Sequence, residues 1–216
     1  MWKWFRRLIM IIVPLMLALL EHEHAVGFSK QVYDGLIDHA SWWKMLHIYQ
    51  AFLFGCVAVA AYLLTSDINN IWATLSCIFL WTFLVAYLVF DSTAGISVGY
   101  ILEKTKENPS LEPATIKPLV QEMFNDPVIG GTYSFFSLLG SFSWLFALVA
   151  AIIALYHKYR GFPMWKVIPP LALLAVSAYC LFIGHYPPYG PIAFTSFALA
   201  SLWFEYFQFR IGEDRF

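Results

Sequence analysis

Six stretches of this chain stay apolar for about as long as a helix needs to cross a hydrocarbon layer about 30 Å thick, which takes about 20 residues. They run approximately over residues 2–20, 46–64, 71–90, 133–156, 167–183 and 192–209. In lipid, backbone N–H and C=O groups must be paired within the segment or in a closed barrel, and runs this long and continuous select helices. Composition agrees. The chain is 60% apolar and 12% charged, against about 25% charged in a soluble domain. A soluble fold of this make-up would expose large apolar patches. The expectation is an all-α, polytopic membrane helix bundle with six transmembrane helices, one domain over residues 1–216. Its connections at 21–45, 91–132 and 184–191 fall on one side.

The first run also reads as a signal peptide, because Lys3, Arg6 and Arg7 precede a compact apolar core. Cleavage after Ala25 would place Glu23 where a small residue is required, so a retained span is expected. Lysine and arginine set the orientation. With the N-terminus inside, Lys3, Arg6, Arg7, Lys158, Arg160, Lys166, Arg210 and Arg215 are cytoplasmic, while Lys30, Lys44, Lys104, Lys106 and Lys117 are outside. Eight against five predicts cytoplasmic termini. Asn108-Pro109-Ser110 is no glycosylation sequon, because proline occupies its middle position. That fits a bacterial-type inner membrane. A net charge of −1 gives no basic surplus for nucleic acid. The three cysteines, Cys56, Cys77 and Cys180, lie in apolar runs and read as small apolar side chains, not as a disulfide framework.

Chemistry gathers at the outer ends of the runs. The first ends in "LLEHEHAVG", with Glu21, His22, Glu23 and His24 in succession. Glu21 and His24 share a helix face, but a carboxylate-bridged di-iron bundle uses two Glu-x-x-His copies, and only one is found. The zincin pattern stops at Val26, where a second histidine is needed. His22-x-His24 can bind copper or zinc. His47 and His185 reach the same level from the second and fifth runs. Two facing imidazoles ligate haem iron, and three with an open position hold catalytic zinc. Glu21, His22, His24, His47 and His185 are therefore candidate ligands for Zn, Cu or Fe, and His47 and His185 candidate haem ligands. The plain alternative is a solvated helix end.

Asp91 is the candidate catalytic residue. It interrupts an otherwise uncharged stretch from Ile71 to Leu102. Either the helix breaks at "STAG" with Asp91 as its cap, or Asp91 lies deeper, where an intramembrane carboxylate signals function.

Around these residues, Ser41 is expected to cap the second helix, and Trp42 and Trp43 to anchor it at the interface. "KPLVQEMFNDP" reads as a short amphipathic helix between Pro118 and Pro127, and "GHYPPYGP" as a stiff turn. Glu205 is expected to pair with Arg210, and Gly95 and Gly99 form a small-xxx-small pair. No Walker A motif, dinucleotide fingerprint or Gly-x-Ser-x-Gly occurs. The functional expectation is a His/carboxylate site opening to the extracytoplasmic side. There it binds a metal or haem and supports redox or hydrolytic chemistry on a lipid-soluble or periplasmic small molecule. The alternatives are a small proton- or cation-linked transporter and a non-catalytic assembly subunit.

Overall fold

The computed structural model describes residues 2–108 and 110–213, with side chains over 4–108 and 110–206. Of the residues used above, the side chains of Lys3, Arg210 and Arg215 lie outside that set, as does Pro109. All described regular structure is helical. Helix α1 covers residues 2–22 as Trp2–Arg7, a π-helical stretch Leu8–Ile12, and Val13–His22. A short α2, Val32–Leu36, passes through a 3-10 turn, Ile37–His39, into α3, Ala40–Thr65. Then come α4, Ile71–Glu107, and α5, Pro113–Asn125. The last three are α6, Phe135–Tyr159, α7, Met164–Ile183, and α8, Tyr189–Glu213. Four segments, Val32–Thr65, Ile71–Glu107, Phe135–Tyr159 and Met164–Ile183, are long and apolar enough to cross a membrane.

Local chemistry explains several ends. The Asn70 side chain accepts the Ala73 N–H at 2.9 Å and starts α4, and Ser134 does the same for Ser137 at 3.3 Å in front of α6. Ser41 is not the expected cap. Helix α3 starts before it, at Ala40, and its hydroxyl donates to Glu103 at 2.8 Å. Inside α7, Pro170 has no N–H to offer the Lys166 carbonyl one turn back. The Trp203 indole of α8 donates to that carbonyl instead, at 2.9 Å.

The six long helices close a ring in which α1 packs on α3, α3 on α4, α4 on α6, α6 on α7, α7 on α8, and α8 back on α1. Aromatic side chains fill its middle. Phe54, Phe83, Tyr87, Trp144, Phe194 and Phe197 are all essentially inaccessible, in contacts such as Phe54–Tyr87 at 4.8 Å and Trp144–Phe197 at 5.7 Å between ring centroids. The bundle has a packed core there, not a channel. Its outside is apolar as well, with Phe52, Trp81 and Tyr179 exposed along their helices. That inversion suits a lipid surround.

Ion pairs mark two ends. At one, Arg6 donates to Glu205 at 2.7 Å and to the Leu63 carbonyl at 3.3 Å, and Lys158 pairs with Asp67 at 2.6 Å. Glu205 thus meets Arg6 of α1. At the other end, Lys44 pairs with Glu103, and Lys117 with Asp34 at 2.6 Å.

Helix α4 does not break at "STAG". Asp91–Ser97 continues it as a π-helical stretch, and the whole helix is about 55 Å long at 1.5 Å per residue. Its last turns stand above the ring and join α2 and α5 in a second apolar cluster, built on Val32, Leu36, Val98, Leu102 and Val120. Helix α5 begins at Pro113, earlier than expected, and carries Pro118 inside it.

Gly95 and Gly99 let α3 lie against α4. A Cβ on Gly95 would sit 2.1 Å from the His47 ring, and one on Gly99 would sit 2.9 Å from the Lys44 backbone nitrogen. Gly55, on the same α3, would meet only a Leu84 methyl at 3.9 Å. Gly95→Ala is therefore expected to cost about 1–3 kcal/mol by overpacking. Gly55→Ala is expected to be neutral or to stabilise by up to about 1 kcal/mol. Thermal unfolding of both variants in detergent checks the contrast.

Candidate functional site

The π-helical stretch of α4 takes carbonyls out of the ordinary i→i−4 ladder. The Ala94 carbonyl in it accepts the Trp43 indole N–H at 3.2 Å. Trp43 is thus buried and bonded inside the bundle, while Trp42 is exposed and free to lie at an interface. The Trp43 carbonyl accepts from His47 Nδ1 at 2.8 Å, and the two rings lie 4.2 Å apart. His24 Nδ1 makes the same kind of bond to the Ala25 carbonyl at 2.9 Å. A carbonyl only accepts, so Nδ1 carries the proton in both neutral rings, and Nε2 keeps its lone pair.

His185 follows the end of α7 at Gly184 and is 6% exposed. Its ring meets His24 edge to face at 4.8 Å, and His24 meets His47 at 5.4 Å. Three separate elements thus bring three imidazoles together. The Nε2 atoms of His24 and His185 are buried without a hydrogen-bond partner among the described residues. Burial pulls the His24 imidazole down to about 4, against the opposing pull of its Ala25 hydrogen bond. His185 is lowered by burial and by the imidazoles of His24 and His47.

These rings line a cavity of about 670 Å³ whose walls include Trp43, Phe90 and Ala94. The chain between α5 and α6 folds over it. The Phe135 N–H donates to the Pro127 carbonyl at 2.8 Å, and Asp126 accepts the N–H groups of Val128 and Ile129 at 2.8 and 2.9 Å. Those two bonds, the Ile129 one first, hold Asp126 below the usual carboxylate range. Sequence reading expects a short amphipathic helix over the bundle mouth or in the outer leaflet here, and the cover lies mainly in the turn-rich chain that follows that helix. Its signal was the pairing of turn-forming Asp126-Pro127 with Gly130-Gly131.

A polar layer lies one turn deeper. Glu21 precedes His24 by three residues on the helix that rises to the mouth. Gln50 follows His47 by three on the helix that descends, and Asp91 precedes Ala94 by three on α4. All three are 0% exposed, and none of their side-chain oxygens or nitrogens has a hydrogen-bond partner among the described residues. Gln50 and Asp91 both face Glu21. Tyr87, whose hydroxyl lies 3.4 Å from that of Ser141, borders the layer beside Asp91 and Glu21.

His22 does not join the site. It is exposed, because consecutive helical residues point about 100° apart and Glu21 takes the inward direction. His39 and His157 are exposed too. Among the described residues, no group of three or more His, Cys, Asp or Glu side chains is arranged to hold a metal ion. Comparison with family models, with curated proteins and with solved structures finds no match for this chain.

The His24 shift has a consequence for stability. An unfolded histidine takes up a proton near its ordinary value of about 6.5, whereas folded His24 does so only near 4. Between those values the unfolded chain holds more protons, so this contribution is complete above about pH 6.5 and is lost as the pH falls towards about 4. The thermal midpoint is expected to drop across that window, and less steeply in His24→Gln. Equal slopes in the two proteins would contradict the assignment.

Proposed function

We propose that this chain is a multipass membrane protein with six spans and both termini on the cytoplasmic side of a bacterial-type inner membrane. Its pocket receives a small lipid-soluble or periplasmic molecule from the extracytoplasmic side. There the neutral imidazoles of His24, His47 and His185 act as hydrogen-bond acceptors and general bases. The observation that carries this reading is their convergence on one cavity, with the protons of His24 and His47 already committed to backbone carbonyls. A base must present a free lone pair within reach of the group it serves.

The two-ended charge pattern supports the orientation. Arg6, Lys158 and Lys166 gather at the end away from the pocket, as the positive-inside rule asks of a cytoplasmic face. The aromatic interior supports a dead-ended pocket over a transport route, since Phe54, Tyr87 and Trp144 occupy the path below it. The metal and haem reading draws no support from the ligand geometry.

Two measurements test the proposal. Protein purified in mild detergent is expected to show no Soret band and no stoichiometric iron, copper or zinc. A Soret band or near-stoichiometric metal would make the histidines ligands and replace the acid–base reading. For orientation, green fluorescent protein fused after residue 216 should fluoresce, and alkaline phosphatase fused after residue 111 should be active. The reverse pattern would invert the topology.

A further inference from the structure

The surroundings of the pocket are short of positive charge. Among the described residues lining it there is no lysine or arginine. Four of the lysines nearby are paired with carboxylates, Lys44 with Glu103, Lys104 with Glu107, Lys106 with Asp38 and Lys117 with Asp34, while Lys30, next to the lining residue Ser29, is exposed. Asp126 stands in the pocket wall. One turn beneath lie Glu21 and Asp91, completely buried, with no ion-pair or hydrogen-bond partner among the described residues. Gln50 lies between α1 and α4 on α3, equally buried, with both amide atoms unpartnered.

Two carboxyl groups facing each other in an apolar bundle are strongly unfavourable as a pair of anions, and they are relieved by taking up a proton or by a cation that meets them. The walls above them point to what that is. Phe28, Trp43, Phe90, Phe124 and Tyr186 supply aromatic surface, which attracts a cation through the ring quadrupole. The imidazole Nε2 atoms offer acceptors. An anion would face the carboxylates with no lysine or arginine in the described lining to offset them, and a neutral alcohol would leave the carboxylates uncompensated. A bare metal ion lacks a ligand group among the described residues. The volume, about 670 Å³, falls within the range of about 300–1,000 Å³ that holds drug-sized molecules.

We propose that the pocket binds a lipophilic organic ammonium ion, a protonated primary amine. Its N–H groups are donated to the imidazoles of His24, His47 and His185, and its charge faces the Glu21–Gln50–Asp91 layer. This rests on the pocket reading above and adds the class of ligand.

Three matched probes test it: 4-phenylbutylamine, 4-phenylbutanol and 4-phenylbutyrate, titrated calorimetrically into the full chain in detergent at pH 7.5. The amine is expected to bind at least about tenfold more tightly than the alcohol, a difference of about 1.4 kcal/mol, and the carboxylate not to bind. The double variant Glu21→Gln/Asp91→Asn should lose about tenfold for the amine and nothing for the alcohol. Asp91→Asn alone, the milder change, should show a smaller loss of the same selectivity. Equal affinities for amine and alcohol, or an amine affinity unchanged in both variants, would overturn the ammonium assignment and leave the pocket standing. No binding of any probe to protein shown by circular dichroism to be folded would overturn both.

Discussion

Everything at the mouth of this bundle depends on how closely α3 lies against α4. Gly95 and Gly99 present bare backbone where His47 and Lys44 arrive, the arrangement that small residues four apart permit between membrane helices. That approach seats the His47 ring on the π-helical stretch of α4. It brings Trp43 within reach of the Ala94 carbonyl and fixes which turn of α3 faces which turn of α4. The opposition of Gln50 and Asp91 one turn below is a consequence of the same register. A single methyl at Gly95 would lever α3 away and disturb the imidazole cluster and the carboxylate layer together.

The polar layer is held in place by what lies above and below it, since it contributes little to stability itself. Beneath it, the aromatic core from Phe54 to Phe197 is fully packed. Above it, Val98 and Leu102 of α4 meet Val32, Leu36 and Val120 in a separate apolar cluster. Between these two regions, Glu21, Gln50 and Asp91 have no partners among the described side chains. Apolar residues of similar volume would be as stable there or more so. Ionisable groups kept at such a cost inside a bundle are the usual mark of a working site.

Some of this was legible in the sequence, and particular residues show why the rest was not. Run length and apolarity foretold helices at all six stretches, because both are local properties. Asp91 stood out because a lone charge in a long apolar run is a local signal too. What the sequence lacks is a marker for the π-helical stretch at Asp91–Ser97, which changes the helix from break to continuation. Nor does it say which member of "EHEH" turns inward, since Glu21 and His22 differ only in angle about the helix axis. Glu205 finds Arg6 at the far end of the chain, and Ser41 finds Glu103. Both are tertiary pairings that local reasoning replaces with the nearest neighbour in sequence. Gln50 had a readable signal that pattern-matching for metals overlooked: one amide in an apolar run, a turn below a histidine.

Depth ties the site to its surroundings. Gln50 stands 15 residues from the end of α3 at Thr65, about 22 Å at 1.5 Å per residue. Asp91 stands 20 residues from the start of α4 at Ile71, about 30 Å on the same scale. With those ends at one edge of a hydrocarbon layer about 30 Å thick, the polar layer falls in the third next to the opposite edge or at that edge. Molecules with an apolar body and a polar or charged head reside at that boundary, for the same reason that tryptophan, tyrosine and lysine side chains do. On the proposed reading, a pocket at this level, closed below by Phe54, Tyr87 and Trp144 and covered above by residues 124–134, meets such a molecule where the bilayer already concentrates it. On that reading the site relies on local charge and shape to select its ligand, without a route through the membrane.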